Sequence, residues 1–91
     1  MKYSIRYSSK FQKDLKCVQK RNYNMSLMSE IIKLLVSGHA LPSKYRDHAL
    51  AGNYRGSREC HIAPDWLLIY EIDEKTHTLY LTRTGSHSDL F

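Results

Sequence analysis

Cysteine is scarce in this chain, and the two copies stand alone. Cys17 and Cys60 are far apart and neither belongs to a CxxC pair. The expectation is two reduced thiols in a cytoplasmic protein, with no disulfide framework. Acidic residues are outnumbered, 9 Asp and Glu against 14 Lys and Arg, which leaves a net charge of +5. No apolar run is long enough to span a bilayer. The opening residues Met1-Lys2-Tyr3-Ser4-Ile5-Arg6 lack the apolar core of a signal peptide. Internal repeats and low-complexity tracts are absent. So are a P-loop, a dinucleotide-binding glycine pattern, an HExxH and a GxSxG, which sets aside the common phosphate-cradling, zinc-hydrolase and serine-hydrolase designs.

What is present suffices for one modest core. The 91 residues are 42% hydrophobic and 25% charged, the balance of a globular chain, and residues 1–91 read as a single domain. Excess positive charge favours polyanionic partners such as nucleic acid or an acidic protein, and a solvated basic surface explains it equally well.

Taken in order, Lys2 to Tyr7 alternates polar and apolar residues and predicts a half-buried strand. Ser9 with Gln12 three residues on resembles a capping box, so a helix is expected there. Phe11, Leu15 and Val18 form its apolar stripe, while Lys13, Lys16 and Lys20 point elsewhere. Those lysines are either a wet helix face or a surface for phosphates or a protein partner. Asn24 can cap a second helix with a broad apolar face from Leu27 to Leu35, ended by Ser37-Gly38. Residues 39–53 show no period and read as a long connection. Tyr54–Ile62 reads as a strand containing Gly56, Trp66–Ile72 as a strand buried on both faces, and His77–Arg83 as the last strand. The order β-α-α-β-β-β predicts an α+β domain with a largely antiparallel sheet.

Five acid–base and cationic groups stand out: His48, His61, Asp65, Arg83 and His87. Metal-free RNA cleavage uses this set of functions. A base takes the ribose 2′-OH proton, a cation stabilises the phosphoryl oxygens, and an acid protonates the departing 5′ oxygen. Histidine suits both proton transfers and arginine suits the phosphate. Trp66 and Phe91 are able to stack on bases. A metal site built from His48, His61, Asp65 and His87 is arguable, but His61-x-x-x-Asp65 across a turn is not a standard ligand spacing. Each residue also has a plain structural reading. His61 can be satisfied at a sheet edge, Asp65 can serve its turn, Trp66 can be core, Arg83 can pair with a surface carboxylate, and His87 can lie in an unstructured tail. A non-catalytic RNA- or protein-binding module with structural histidines is therefore the alternative to an enzyme.

Three blocks sharpen the choice: Lys44–Gly52 (KYRDHALAG), Arg58–Tyr70 (RECHIAPDWLLIY) and Arg83–Phe91 (RTGSHSDLF). Together and in this order they resemble the YafQ branch of the RelE superfamily, toxins of type II toxin–antitoxin systems. The resemblance implies a RelE-like microbial RNase fold, with two N-terminal helices packed on the sheet. It further implies ribosome-dependent cleavage of mRNA in the A site without a metal or other cofactor. The matching positions are His48, His61, Asp65, Arg83 and His87 as catalytic, and Trp66 and Phe91 as substrate-binding. The implied partners are mRNA on the 30S ribosomal A site with its rRNA, and an acidic-segment antitoxin. That antitoxin is expected as a ribbon-helix-helix dimer in a heterotetramer, with DNA contacted only through it.

Overall fold

In the computed structural model, which describes residues 2–91, the chain forms a five-stranded sheet of order β1-β5-β4-β3-β2 with helices laid across it. The elements are β1 (Ser4–Tyr7), α1 (Ser9–Lys20), α2 (Met25–Val36), β2 (His48–Ala49), β3 (Arg58–Ala63), β4 (Trp66–Asp73), β5 (Thr78–Gly85) and α3 (His87–Leu90). β1 runs parallel to β5, and every other neighbouring pair is antiparallel. The α+β architecture read from the sequence is correct. The sheet gains a fifth, very short strand inside the long connection, and the tail ends in a helix. Among the described residues no helix is long and apolar enough to cross a membrane.

β4 is the central strand and is apolar on both sides. Trp66, Leu68 and Tyr70 face the layer holding Phe11, Val18, Met28, Ile31, Leu35 and Val36. Leu67 and Ile69 face the other way, against Leu90, Leu50 and Tyr54. Each fully buried Leu or Ile contributes about 1.5–3 kcal/mol relative to exposure, so this strand is the main source of cohesion.

Several boundaries differ from the sequence reading for local reasons. The cap of α1 is Ser8, one residue before the predicted Ser9: the Phe11 amide donates to Ser8 Oγ at 2.9 Å. Ser8 has a second task, because β1 stops at Tyr7 and leaves the rest of β5 without a strand partner on that edge. There the Ser8 amide donates to the Leu81 carbonyl at 3.1 Å and its hydroxyl to the Thr82 carbonyl at 2.7 Å. Asn24 caps α2 as expected, accepting from the Ser26 amide at 3.1 Å. β3 begins at Arg58 rather than Tyr54, since Gly52–Tyr54 is a short 3-10 turn and Gly56 sits at φ +93° in the turn leading into the strand. β5 carries an extra residue, Thr82, between the pairs Tyr70–Leu81 and Ile69–Arg83. This bulge moves Arg83 off the face that Leu81 occupies.

The two cysteines occupy opposite environments. Cys17 is exposed, whereas Cys60 is fully buried and its thiol is pushed up to about 12, mainly by burial. A thiol held protonated and covered is inert. A maleimide probe should therefore label Cys17 in the native protein and reach Cys60 only after denaturation, as read by intact-mass spectrometry.

Candidate active site

The β3–β4 turn is the nucleus of the site. The β3–β4 register shifts between His61 and Ala63, and Pro64-Asp65 closes the turn. Asp65 projects to the start of α3, where its Oδ1 accepts from the His87 backbone amide at 3.0 Å and lies 2.6 Å from His87 Nδ1. These contacts, the backbone bond first, hold the Asp65 carboxyl below the usual carboxylate value. An ionised carboxylate only accepts, so Nδ1 carries the hydrogen and Nε2 is the nitrogen left for chemistry. Asp65 thus orients His87. The tail is ordered because Ser86 and Asp89 form a reciprocal capping box and Arg21 grips Asp89 at 2.7 Å.

His61 and His87 meet edge to face with their ring centres 5.8 Å apart. Both line an open cleft of about 630 Å³ together with Lys44, Tyr45, Arg46 and Pro64. His48 joins from β2. The β2–β3 register puts it opposite Glu59, with its Nε2 3.6 Å from Glu59 Oε1. Its Nδ1 bonds the Arg46 carbonyl at 2.8 Å. That oxygen only accepts, so Nδ1 again carries the hydrogen and Nε2 faces the chemistry. His61, two residues after Glu59 on the same strand face, places its Nε2 3.5 Å from the same oxygen.

The loop holding His48 is fixed from the other face of the sheet. Asp47 accepts from Arg58 Nη2 at 3.1 Å and from the Tyr70 hydroxyl. Alternation along the backbone then turns the neighbouring His48 toward Glu59.

Three of the sequence-derived site residues lie apart from this group. Trp66 is only 3% exposed, stands edge-on to Tyr23, and donates its Nε1–H to Thr84 Oγ1 at 2.9 Å. Its ring packs in the core, with one edge lining a shallow apolar pocket beside Tyr23, Leu27 and Asp65. Arg83 does not line the cleft: its guanidinium is bidentate to Asp14 of α1, at 2.7 and 3.1 Å. The cations lining the cleft are Lys44 and Arg46, which the sequence reading passed over. Phe91 is 64% exposed beside Tyr54, with ring centres 5.7 Å apart. Glu59 was also passed over. Its signal was present, since a period of two puts it on the face of His61. Asp47 and Asp14 carried no such signal, because their partners are distant in sequence. Among the described residues no group of three or more His, Cys, Asp or Glu is arranged to hold a metal ion.

A mostly antiparallel sheet crossed by two helices is the α+β fold of RelE-like toxins. Residues 3–91 match the family described as bacterial toxin of type II toxin–antitoxin system, YafQ. The chain is 41% identical over 88 residues to the mRNA interferase toxin YafQ of Escherichia coli K12, covering 96% of this chain and 94% of that one. It is also similar to the E. coli DinJ–YafQ complex structure (39% identity, TM-score 0.89, 98% of each chain). A metal-bound toxin from Helicobacter pylori is similar too (43% identity, TM-score 0.91, 98% of this chain and 99% of that one). The chain belongs to the YafQ family of type II toxins.

Two outcomes follow from the anchors. The Asp65 carboxyl lies below its ordinary value, so the contact with His87 is present above that value and is lost only as pH falls through the lower folded one. The acid-side midpoint of the His87 amide shift in an NMR titration should accordingly fall below the ordinary aspartate value. Asp47→Ala removes the partner of Arg58 and of the Tyr70 hydroxyl, and should lower unfolding stability by about 1–3 kcal/mol in a denaturant titration.

Proposed function

We propose that this toxin is a metal-independent endoribonuclease that cleaves mRNA in the ribosomal A site and so stops translation. The supporting observation is that His61 and His87 line one open cleft with Lys44 and Arg46, while His48 adjoins His61 across Glu59 and Asp65 holds His87. His48 or His61 takes the 2′-OH proton through Nε2, and the freed oxygen attacks the adjacent phosphorus. His87, held by Asp65, delivers a proton from Nε2 to the leaving 5′ oxygen. The products are a 2′,3′-cyclic phosphate and a 5′-hydroxyl. Lys44 and Arg46 meet the charge that develops on the phosphoryl oxygens. Arg83 keeps a supporting place, locking α1 to the end of β5 through Asp14. Phe91 stacks on a base.

The name of the E. coli relative and the DinJ–YafQ complex support the same reading for this chain's substrate and partner. The partner is an acidic antitoxin, a ribbon-helix-helix dimer forming a heterotetramer with two toxins, and DNA is contacted through it. The setting is the cytoplasm.

His87→Ala should slow cleavage of mRNA on programmed ribosomes by about 100-fold or more, with ribosome binding retained. Cleavage at the parental rate would remove His87 from the acid role. Because the H. pylori relative was solved with a metal, cleavage should also be followed in a chelator selective for transition metals, with magnesium kept for ribosome integrity. Undiminished cleavage is expected, and loss that added metal restores would overturn the metal-independent mechanism.

A further inference from the structure

We infer that Glu59 is a positioning residue for the cleavage proposed above: a buried anion that joins His48 and His61 into one base. The inference rests on the ribonuclease reading and names a group that the sequence motifs leave without a role. Among the described residues Glu59 is the one charged residue that is buried, at 5% exposure; the other buried polar residues are the neutral Thr78 and Thr84. A carboxylate stripped of water is costly unless cationic or hydrogen-bonding groups compensate it. The two imidazoles are the groups that face Glu59, with Nε2 atoms 3.5 and 3.6 Å from the same Oε1, and either one forms an ion pair with it once protonated. Two independent features of the backbone produce this geometry. Cross-strand register sets His48 opposite Glu59, and same-strand alternation sets His61 beside it.

The distances exceed those of a hydrogen bond, so Glu59 acts as a charge and does not lock one ring in place. Its value lies in the reaction step. When a neutral histidine takes the 2′-OH proton, an O–H bond breaks, an N–H bond forms at Nε2, and the freed oxygen bonds to phosphorus. The ring becomes a cation beside a fixed, largely buried anion. That attraction is stronger in the transition state than before the transfer, which is the condition for raising kcat. One oxygen equidistant from two rings gives the same support whichever histidine receives the proton. The enclosing strands hold the anion in advance, so no solvent reorganisation is needed.

Glu59→Gln keeps the shape and removes the charge, and Glu59→Asp keeps the charge on a shorter stem. Single-turnover cleavage on programmed ribosomes, at saturating toxin, should fall about tenfold or more in Glu59→Gln. Ribosome affinity should stay within about twofold, so that the loss appears in kcat and not in KM. Glu59→Asp should recover part of the rate. Parental kcat in Glu59→Gln overturns the inference. So does a loss that disappears at saturation, or one that a lowered melting temperature accompanies and Glu59→Asp fails to relieve. The wild-type arm separates the two levels: no cleavage by wild type overturns the ribonuclease reading itself, whereas equal cleavage by wild type and Glu59→Gln overturns only the role of Glu59.

Discussion

The double-sided burial of β4 is the constraint on which the rest of the molecule depends. Trp66 to Tyr70 are all buried, with alternate residues committed to opposite layers. A strand so enclosed offers no room for polar chemistry along its length. Reactive side chains therefore gather where β4 ends and where its neighbours bend: the β3–β4 turn, the short edge strand β2, and the chain just after β5. A rigid apolar strand flanked by irregular backbone is a common way to hold a site, because the scaffold supplies precision and the loops supply reach.

In a chain with an excess of base, the few acids act as anchors. Asp14 holds Arg83, Asp47 holds Arg58 and Tyr70, Asp65 holds His87, and Asp89 joins Arg21 to the cap of α3. The first ties α1 to β5, and the others tie a segment of loop or tail to another part of the chain. Exposed ion pairs contribute little to stability on their own, but here they fix orientation. Lysine forms none of the ion pairs among the described residues. The lysines of α1 are left to the solvent, which suits a polyanionic partner.

The site itself is built from pairings that cross the sheet. Asp47 lies against Tyr70 on the helix side while its neighbour His48 faces Glu59 on the other, so one short edge strand couples the core to the reactive groups. The bulge at Thr82 works in the same manner. It releases Arg83 from the face that Leu81 occupies and leaves Thr84 to receive the Trp66 indole N–H. Trp66 and Arg83, both attractive as substrate contacts by residue type, are thereby engaged in holding the scaffold.

Local pattern alone carried much of this protein. Alternation at Lys2–Tyr7, the stripe of Phe11, Leu15 and Val18, the cap at Asn24 and the apolar run from Trp66 were all readable, because periodicity and capping depend on residues a few positions apart. The three motif blocks also pointed to His48, His61, Asp65 and His87. Tertiary structure alone decided which of the candidates meet. The enclosure of Trp66, the engagement of Arg83 by Asp14, the short strand that carries His48 and the burial of Glu59 between two histidines all arise from contacts between distant segments. Burial and carboxylate pairing are properties of the packed chain, and no window of sequence contains both partners.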